Sequence, residues 1–74
     1  MARPTTTAKR VTASLRDPDV QNLEEVAEST RLSSNDAIRK ALATEAFVQR
    51  VIASGGKILV QSEDGEVREV AFVS

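Results

Sequence analysis

Three polar side chains that alternate along residues 9–16 are the groups best suited to recognition chemistry. Arg10, Thr12 and Ser14 supply a guanidinium group and two hydroxyls, which can hydrogen-bond to base edges and phosphates of a nucleic acid. The residues that alternate with them are apolar: Val11, Ala13 and Leu15. Alternation with a period of two predicts a β-strand from about Lys9 to Arg16, with one buried face and one solvent-facing face.

The predicted strand has no neighbour in the sequence with which to pair. Two helical segments follow it directly, so we expect its partner to be the same strand of a second chain. A polar face that carries guanidinium and hydroxyl groups then favours a dimeric DNA-binding protein. The alternative is that these side chains form only the solvent-exposed face of an edge strand.

Composition limits the class of protein. A chain of 74 residues makes one domain near the lower size limit for a stable core. With no cysteine available for disulfides, dimerisation is the expected source of further buried surface. The chain also lacks histidine, and neither a nucleophile–base pair nor a set of metal ligands is visible. We therefore expect neither an enzyme nor a cofactor. No apolar run approaches the roughly 20 residues of a membrane span, so we expect a soluble, cytoplasmic protein.

The charge is distributed unevenly along the chain, although the net charge is only −1. Residues 1–16 contain four basic and no acidic side chains, whereas residues 17–74 contain six basic and eleven acidic ones. A basic segment on an acidic body concentrates positive potential where a polyanion can dock. The alternative is a solvated tail whose charge has no function.

Local signals predict the elements that position these residues. Residues 1–8 show no apolar periodicity and are expected to form a disordered arm. Helix one is predicted from about Pro18 to Ser29, with Asp17 as its cap. Helix two is predicted from about Ser34 to Ala53, capped by Ser33, with Asp36 completing a weak capping box. The glycines that follow Ser54 end this helix.

The last part of the chain predicts a β-hairpin over residues 57–73. A three-residue loop, Glu63-Asp64-Gly65, pairs Ser62 with Glu66 if Gly65 has a positive φ. This register places four apolar residues on one face: Ile58, Val60, Val70 and Phe72. Apolar side chains in the second half of helix two are expected to cover the hairpin, within the dimer: Phe47, Val48, Val51 and Ile52.

Strand, helix and helix within about 45 residues resemble the ribbon-helix-helix proteins of the Arc/MetJ/CopG superfamily. The resemblance covers residues 9 to about 50. It depends on the Arg10–Leu15 segment, on the helix that carries Leu23 and Val26, and on the Leu32–Asn35 step into helix two. It implies an α+β fold: an intertwined ribbon-helix-helix homodimer (β-α-α) over residues 9–53, with residues 54–74 as an added C-terminal hairpin. Many members have glycine where this chain has Arg31, so the end of helix one is expected to be strained or altered.

The resemblance also implies residue roles. Two paired strands would insert as an antiparallel ribbon into the major groove of double-stranded DNA. The base-contacting residues would be Arg10, Thr12 and Ser14, and the start of helix two would hold a phosphate beside the ribbon. The phosphate-contacting residues would then be Lys9, Arg16, Ser33, Ser34 and Asn35. Asp36 opposes this role, because its negative charge repels a phosphate.

The sequence thus favours a sequence-specific transcriptional repressor that forms a homodimer, with cooperative assembly of dimers on DNA as an option. Three alternatives stay open. The first is an antitoxin that represses its own gene and binds a toxin through its C-terminal part. The second is an accessory protein of plasmid partition or of a relaxosome. The third, without DNA, is a protein-interaction module that uses the edge of the hairpin.

Overall fold

The computed structural model describes residues 8–72. Its elements are α1 (Asp17–Thr30), α2 (Ser34–Ala53), β1 (Leu59–Gln61) and β2 (Val67–Glu69), and the two strands form an antiparallel sheet. This is a small α+β fold. Among these elements α1 packs against α2, and neither strand contacts a helix. Neither described helix combines the length and hydropathy needed to cross a membrane.

The segment before α1 has no regular secondary structure within one chain. Residues 8–16 are neither helical nor paired as a strand. The strand expected over residues 9–16 is therefore not formed in the single chain, since a strand needs a second strand for its hydrogen bonds. The disordered arm expected over residues 1–8 lies outside the described residues except for Ala8.

Helix α1 begins one residue earlier than expected, and its cap is different. Arg16, not Asp17, is the N-cap residue, and Asp17 is the first residue of the helix. The Asp19 carboxylate accepts a hydrogen bond from the Arg16 N–H at 3.1 Å. The prediction that Asp17 caps the helix was wrong, because Asp19 lies in the first turn and can reach back to the preceding backbone.

Helix α1 ends with a residue in the left-handed conformation. Arg31 has φ 57° and ψ 41°, its N–H donates to the Glu28 carbonyl at 3.3 Å, and the Leu32 N–H donates to the Ala27 carbonyl at 3.0 Å. These two bonds are the Schellman pattern. The hydrogen bonds at this helix end are thus ordinary, and the strain falls on the backbone of Arg31, because its Cβ is crowded in the left-handed conformation.

Helix α2 has the bounds that the sequence predicts. The Ser33 hydroxyl accepts the Asp36 N–H at 3.1 Å, which confirms the predicted cap. The Asp36 carboxylate, which was expected to complete a capping box, instead forms an ion pair with Arg39. At the other end Gly55 has φ +87° and donates its N–H to the Ile52 carbonyl at 3.0 Å, as expected for a glycine that terminates a helix.

The hairpin has the predicted loop and register. Gly65 has φ +93°, and the Ser62 N–H donates to the Glu66 carbonyl at 2.7 Å. Val60 pairs with Arg68, so Ile58, Val60, Val70 and Phe72 belong to one face as predicted. Because neither strand contacts a helix within residues 8–72, the packing of α2 on the hairpin stays a prediction for the expected dimer.

The core of the single chain is very small. Among the described residues only Ala37, at 0% exposure, and Val48 are buried, and both lie on α2. The spacing of Val20, Leu23, Val26 and Ala27 predicts one apolar stripe on α1; Leu23, Val26 and Ala27 are half-buried, whereas Val20 is exposed. The N-terminal apolar residues, expected in the core, are exposed in one chain: Val11 by 77%, together with Ala13 and Leu15.

The left-handed backbone of Arg31 makes a stability prediction. Arg31→Gly should raise the free energy of unfolding by about 1 kcal/mol, because a Cβ in the left-handed region costs roughly 1–2 kcal/mol and glycine avoids it. Urea unfolding at matched protein concentration measures the change. Arg31→Ala is the control, since it removes the charge and keeps the Cβ. If the Gly and Ala variants were equally stable, the left-handed backbone at residue 31 would not be strained.

Candidate nucleic-acid interface

An apolar groove runs between the N-terminal segment and the helix pair. Of residues 9–16, only Val11, Ala13 and Leu15 line it. Its volume is about 680 Å³, and its other apolar lining residues come from both helices: Leu23, Val26, Ala37, Ile38, Ala41 and Leu42. Every second residue of the segment from Val11 to Leu15 therefore lines this apolar groove, and the residues in between do not. This arrangement agrees with the period-two pattern of the sequence.

A second groove, adjacent to the first, brings together polar residues from distant parts of the sequence. Lys9, Arg10 and Thr12 of the segment line it with Asn35 and Arg39 of α2. We call this the basic groove, because its charged lining residues are all cations. Its volume is about 910 Å³, and it also includes apolar residues shared with the apolar groove: Val11, Ala13, Ile38 and Leu42.

The first turn of α2 offers two backbone donors. Ser33 already accepts the amides that come third and fourth after it: its hydroxyl accepts the Asp36 N–H, and its carbonyl accepts the Ala37 N–H at 2.8 Å. The amides of Ser34 and Asn35 lie in the first turn, where no helical carbonyl can accept from them. They are therefore the donors that an outside anion could use at the positive end of the helix.

The charge of Asp36 at this helix end is balanced. Its carboxylate forms an ion pair with the guanidinium of Arg39, three residues later on the same helix. Both side chains are substantially exposed, so the pair contributes only a few tenths of a kcal/mol to folding. The pair instead changes the local electrostatic potential, because the Arg39 charge reduces the repulsion that Asp36 exerts on a nearby anion.

The structure brings together half of the residues expected to contact DNA. Lys9, Arg10, Thr12 and Asn35 share the basic groove. The other four lie outside this groove. Ser14 and Ser34 are exposed, Arg16 caps α1, and Ser33 uses its hydroxyl to cap α2.

Arg39 is a lining residue of the basic groove that was not identified from the sequence. It follows Asn35 by four residues, and residues at this spacing lie on one face of a helix. This spacing was visible in the sequence. What the sequence could not give was the position of the N-terminal segment relative to this face of α2.

We compared the chain with models of protein families, with curated proteins and with solved structures, and none of the three comparisons found a match.

Proposed function

We propose that the chain is a homodimeric DNA-binding protein of the ribbon-helix-helix type and acts as a transcriptional repressor. The observation that carries this proposal is the alternation of residues 9–16 over the apolar groove. Val11, Ala13 and Leu15 line the groove, whereas Arg10 and Ser14 lie next to them in sequence and outside it. A segment with this arrangement becomes a two-faced ribbon when a second copy supplies the missing strand.

The exposed surface of the single chain supports a dimer. It amounts to 6984 Å², against about 4,500 Å² expected for a compact monomer of 8.0 kDa. The excess is more than the seven N-terminal and two C-terminal residues outside the described range could add. A standard interface buries about 800 Å² per partner, and obligate dimers bury more. Leu42, exposed by 65% although it lines both grooves, is a natural part of that interface.

The polar face of the ribbon supplies the chemistry of recognition. Arg10 can donate two hydrogen bonds to guanine O6 and N7, and Thr12 can offer a hydroxyl and a methyl group. Ser14 extends the same face by two residues. Lys9 and Arg16, with the Ser34 and Asn35 amides, would contact phosphates, which set affinity and orientation without reading sequence. Repression then follows from occupation of promoter DNA by the dimer.

DNA recognition is tested on the DNA upstream of the protein's own gene. The wild type should shift this duplex more strongly than a scrambled duplex, and Arg10→Ala/Thr12→Ala should lose the preference. Each good bidentate contact provides about 1–3 kcal/mol of discrimination. The matched control is Thr44→Ala/Arg50→Ala, which removes the same residue types from exposed positions of α2. Gel shifts at two salt concentrations give the affinity of each protein for the upstream duplex and for the scrambled duplex. Equal loss in both double variants, or binding without preference by the wild type, would contradict base reading by the ribbon.

Dimerisation through residues 9–16 is tested with one charge on either face of the segment. Val11→Asp should weaken the dimer at least tenfold, because it places an unpaired carboxylate in an apolar interface. Thr12→Asp adds the same charge to the polar face and should leave the dimer intact. Sedimentation equilibrium over a range of concentrations measures both dissociation constants. A monomeric wild type, or equal effects of the two variants, would refute the paired ribbon.

A second candidate function is favoured by the hairpin. Leu59 and Val67 are exposed on the face of the hairpin opposite to the one that α2 is expected to cover, and neither strand contacts a helix in the described chain. A two-stranded hairpin is marginally stable unless something covers it. A protein partner that covers this surface is expected for an antitoxin, which would combine toxin binding with repression of its own gene.

The antitoxin function is tested with the protein encoded next to this one. Leu59→Asp/Val67→Asp should abolish a co-purified complex with that protein, since two carboxylates would enter an apolar contact. Ser54→Asp/Ser62→Asp adds the same charge at polar positions and should preserve the complex. Both variants should retain specific DNA binding. If the neighbouring protein does not co-purify with the wild type, the antitoxin candidate is rejected and the repressor proposal is unaffected.

A further inference from the structure

Arg39 is a cation of the basic groove that the proposed function does not yet use. It lines the groove with Lys9, Arg10 and Thr12 of the N-terminal segment and with Asn35 of its own helix. Asn35 and Arg39 are four residues apart on α2, so they occupy one face of the helix. This face is the one that meets the segment expected to read bases.

The guanidinium of Arg39 has more donors than its partner uses. One of its nitrogens donates to a carboxylate oxygen of Asp36, whereas a guanidinium carries five N–H donors in a planar fork. The side chain is 75% exposed. It can therefore keep its contact with Asp36 and donate to a second acceptor, and the planar fork suits a phosphate.

The ion pair with Asp36 does not by itself account for a cation in this position. An exposed pair at this spacing stabilises a helix by about 0.3–0.5 kcal/mol. Arg39 is instead one of three cationic side chains that line the groove, together with Lys9 and Arg10. A third cation that also balances the one carboxylate at the start of α2 makes this surface more favourable for a polyanion.

We propose that Arg39 contacts a backbone phosphate of the DNA that Arg10 and Thr12 read, and that it offsets the repulsion of that phosphate by Asp36. The inference rests on the proposed function. It names the phosphodiester backbone of duplex DNA as the ligand of this side chain. Because a phosphate contact carries no sequence information, Arg39 sets affinity and salt dependence and does not set base preference.

The experiment compares Arg39→Ala with Lys40→Ala. Lys40 has the same charge, is the next residue of α2 and lines neither groove, so its variant is a matched control for net charge. Binding constants for the upstream and the scrambled duplex are measured at several salt concentrations. Arg39→Ala should reduce the slope of log K against log salt by about 0.9 for each phosphate that the protein no longer neutralises. Lys40→Ala should change it by much less, and the preference for the upstream duplex should persist in both variants.

Two further variants separate the contact from a folding effect. Arg39→Lys keeps a positive charge and should retain most of the slope. Asp36→Asn removes the competing carboxylate and should raise DNA affinity several-fold at low salt. Urea unfolding of all variants at one concentration checks that stability is unchanged within about 0.5 kcal/mol, as expected for exposed pairs.

The outcomes distinguish this inference from the function on which it rests. Equal slopes for Arg39→Ala and Lys40→Ala, in a protein that binds DNA, overturn the phosphate contact and leave the repressor proposal standing. If Asp36→Asn does not raise the affinity for DNA, the proposal that Arg39 offsets the repulsion by Asp36 is overturned. If the wild type binds neither duplex at low salt, the proposed function and this inference fail together.

Discussion

The constraint on which the rest of the structure depends is the unsatisfied state of residues 9–16 in a single chain. The backbone of Arg16 is satisfied by Asp19 and Val20 at the start of α1, but the residues before it carry donors and acceptors that no described strand pairs. They also carry apolar side chains, of which Val11 is the most exposed. Backbone polar groups that become buried must find hydrogen-bond partners. Covering exposed apolar surface lowers the free energy of the protein. A second antiparallel copy of the segment meets both requirements with one interaction.

In the proposed dimer, pairing of this kind would couple folding to recognition. The pleat of a strand sends successive side chains to opposite faces, so the pairing that covers Val11 and Leu15 also fixes the direction and spacing of Arg10 and Thr12. A two-fold axis then doubles the polar set and makes it match a site of the same symmetry. The positions of the polar residues are consequently set by the same pairing that buries the apolar ones. Their arrangement is a by-product of the burial that stabilises the proposed dimer.

The sequence predicted the features that contiguous residues determine. Ser33 fixes the start of α2, Gly55 its end, and Gly65 the hairpin register, because caps and tight turns depend on local backbone geometry. The cap of α1 was missed because Asp17 and Asp19 were both able to serve the helix start, and the choice depends on the backbone path through Arg16. The position of Arg39 beside the N-terminal segment was missed for a different reason. It depends on how two segments about 30 residues apart meet, which no local pattern encodes.

The acidic body of the chain is compatible with the proposed DNA binding because no acidic residue lines the basic groove. The three glutamates of α1, Glu24, Glu25 and Glu28, are all exposed and belong to neither groove, whereas the basic groove collects Lys9, Arg10 and Arg39. Coulomb interactions between exposed charges fade over about 8–10 Å at physiological salt. If a duplex binds in the basic groove as proposed, it responds mainly to the cations that line the groove. A net charge of −1, distributed in this way, would then favour docking at this groove over docking at the acidic faces of the molecule.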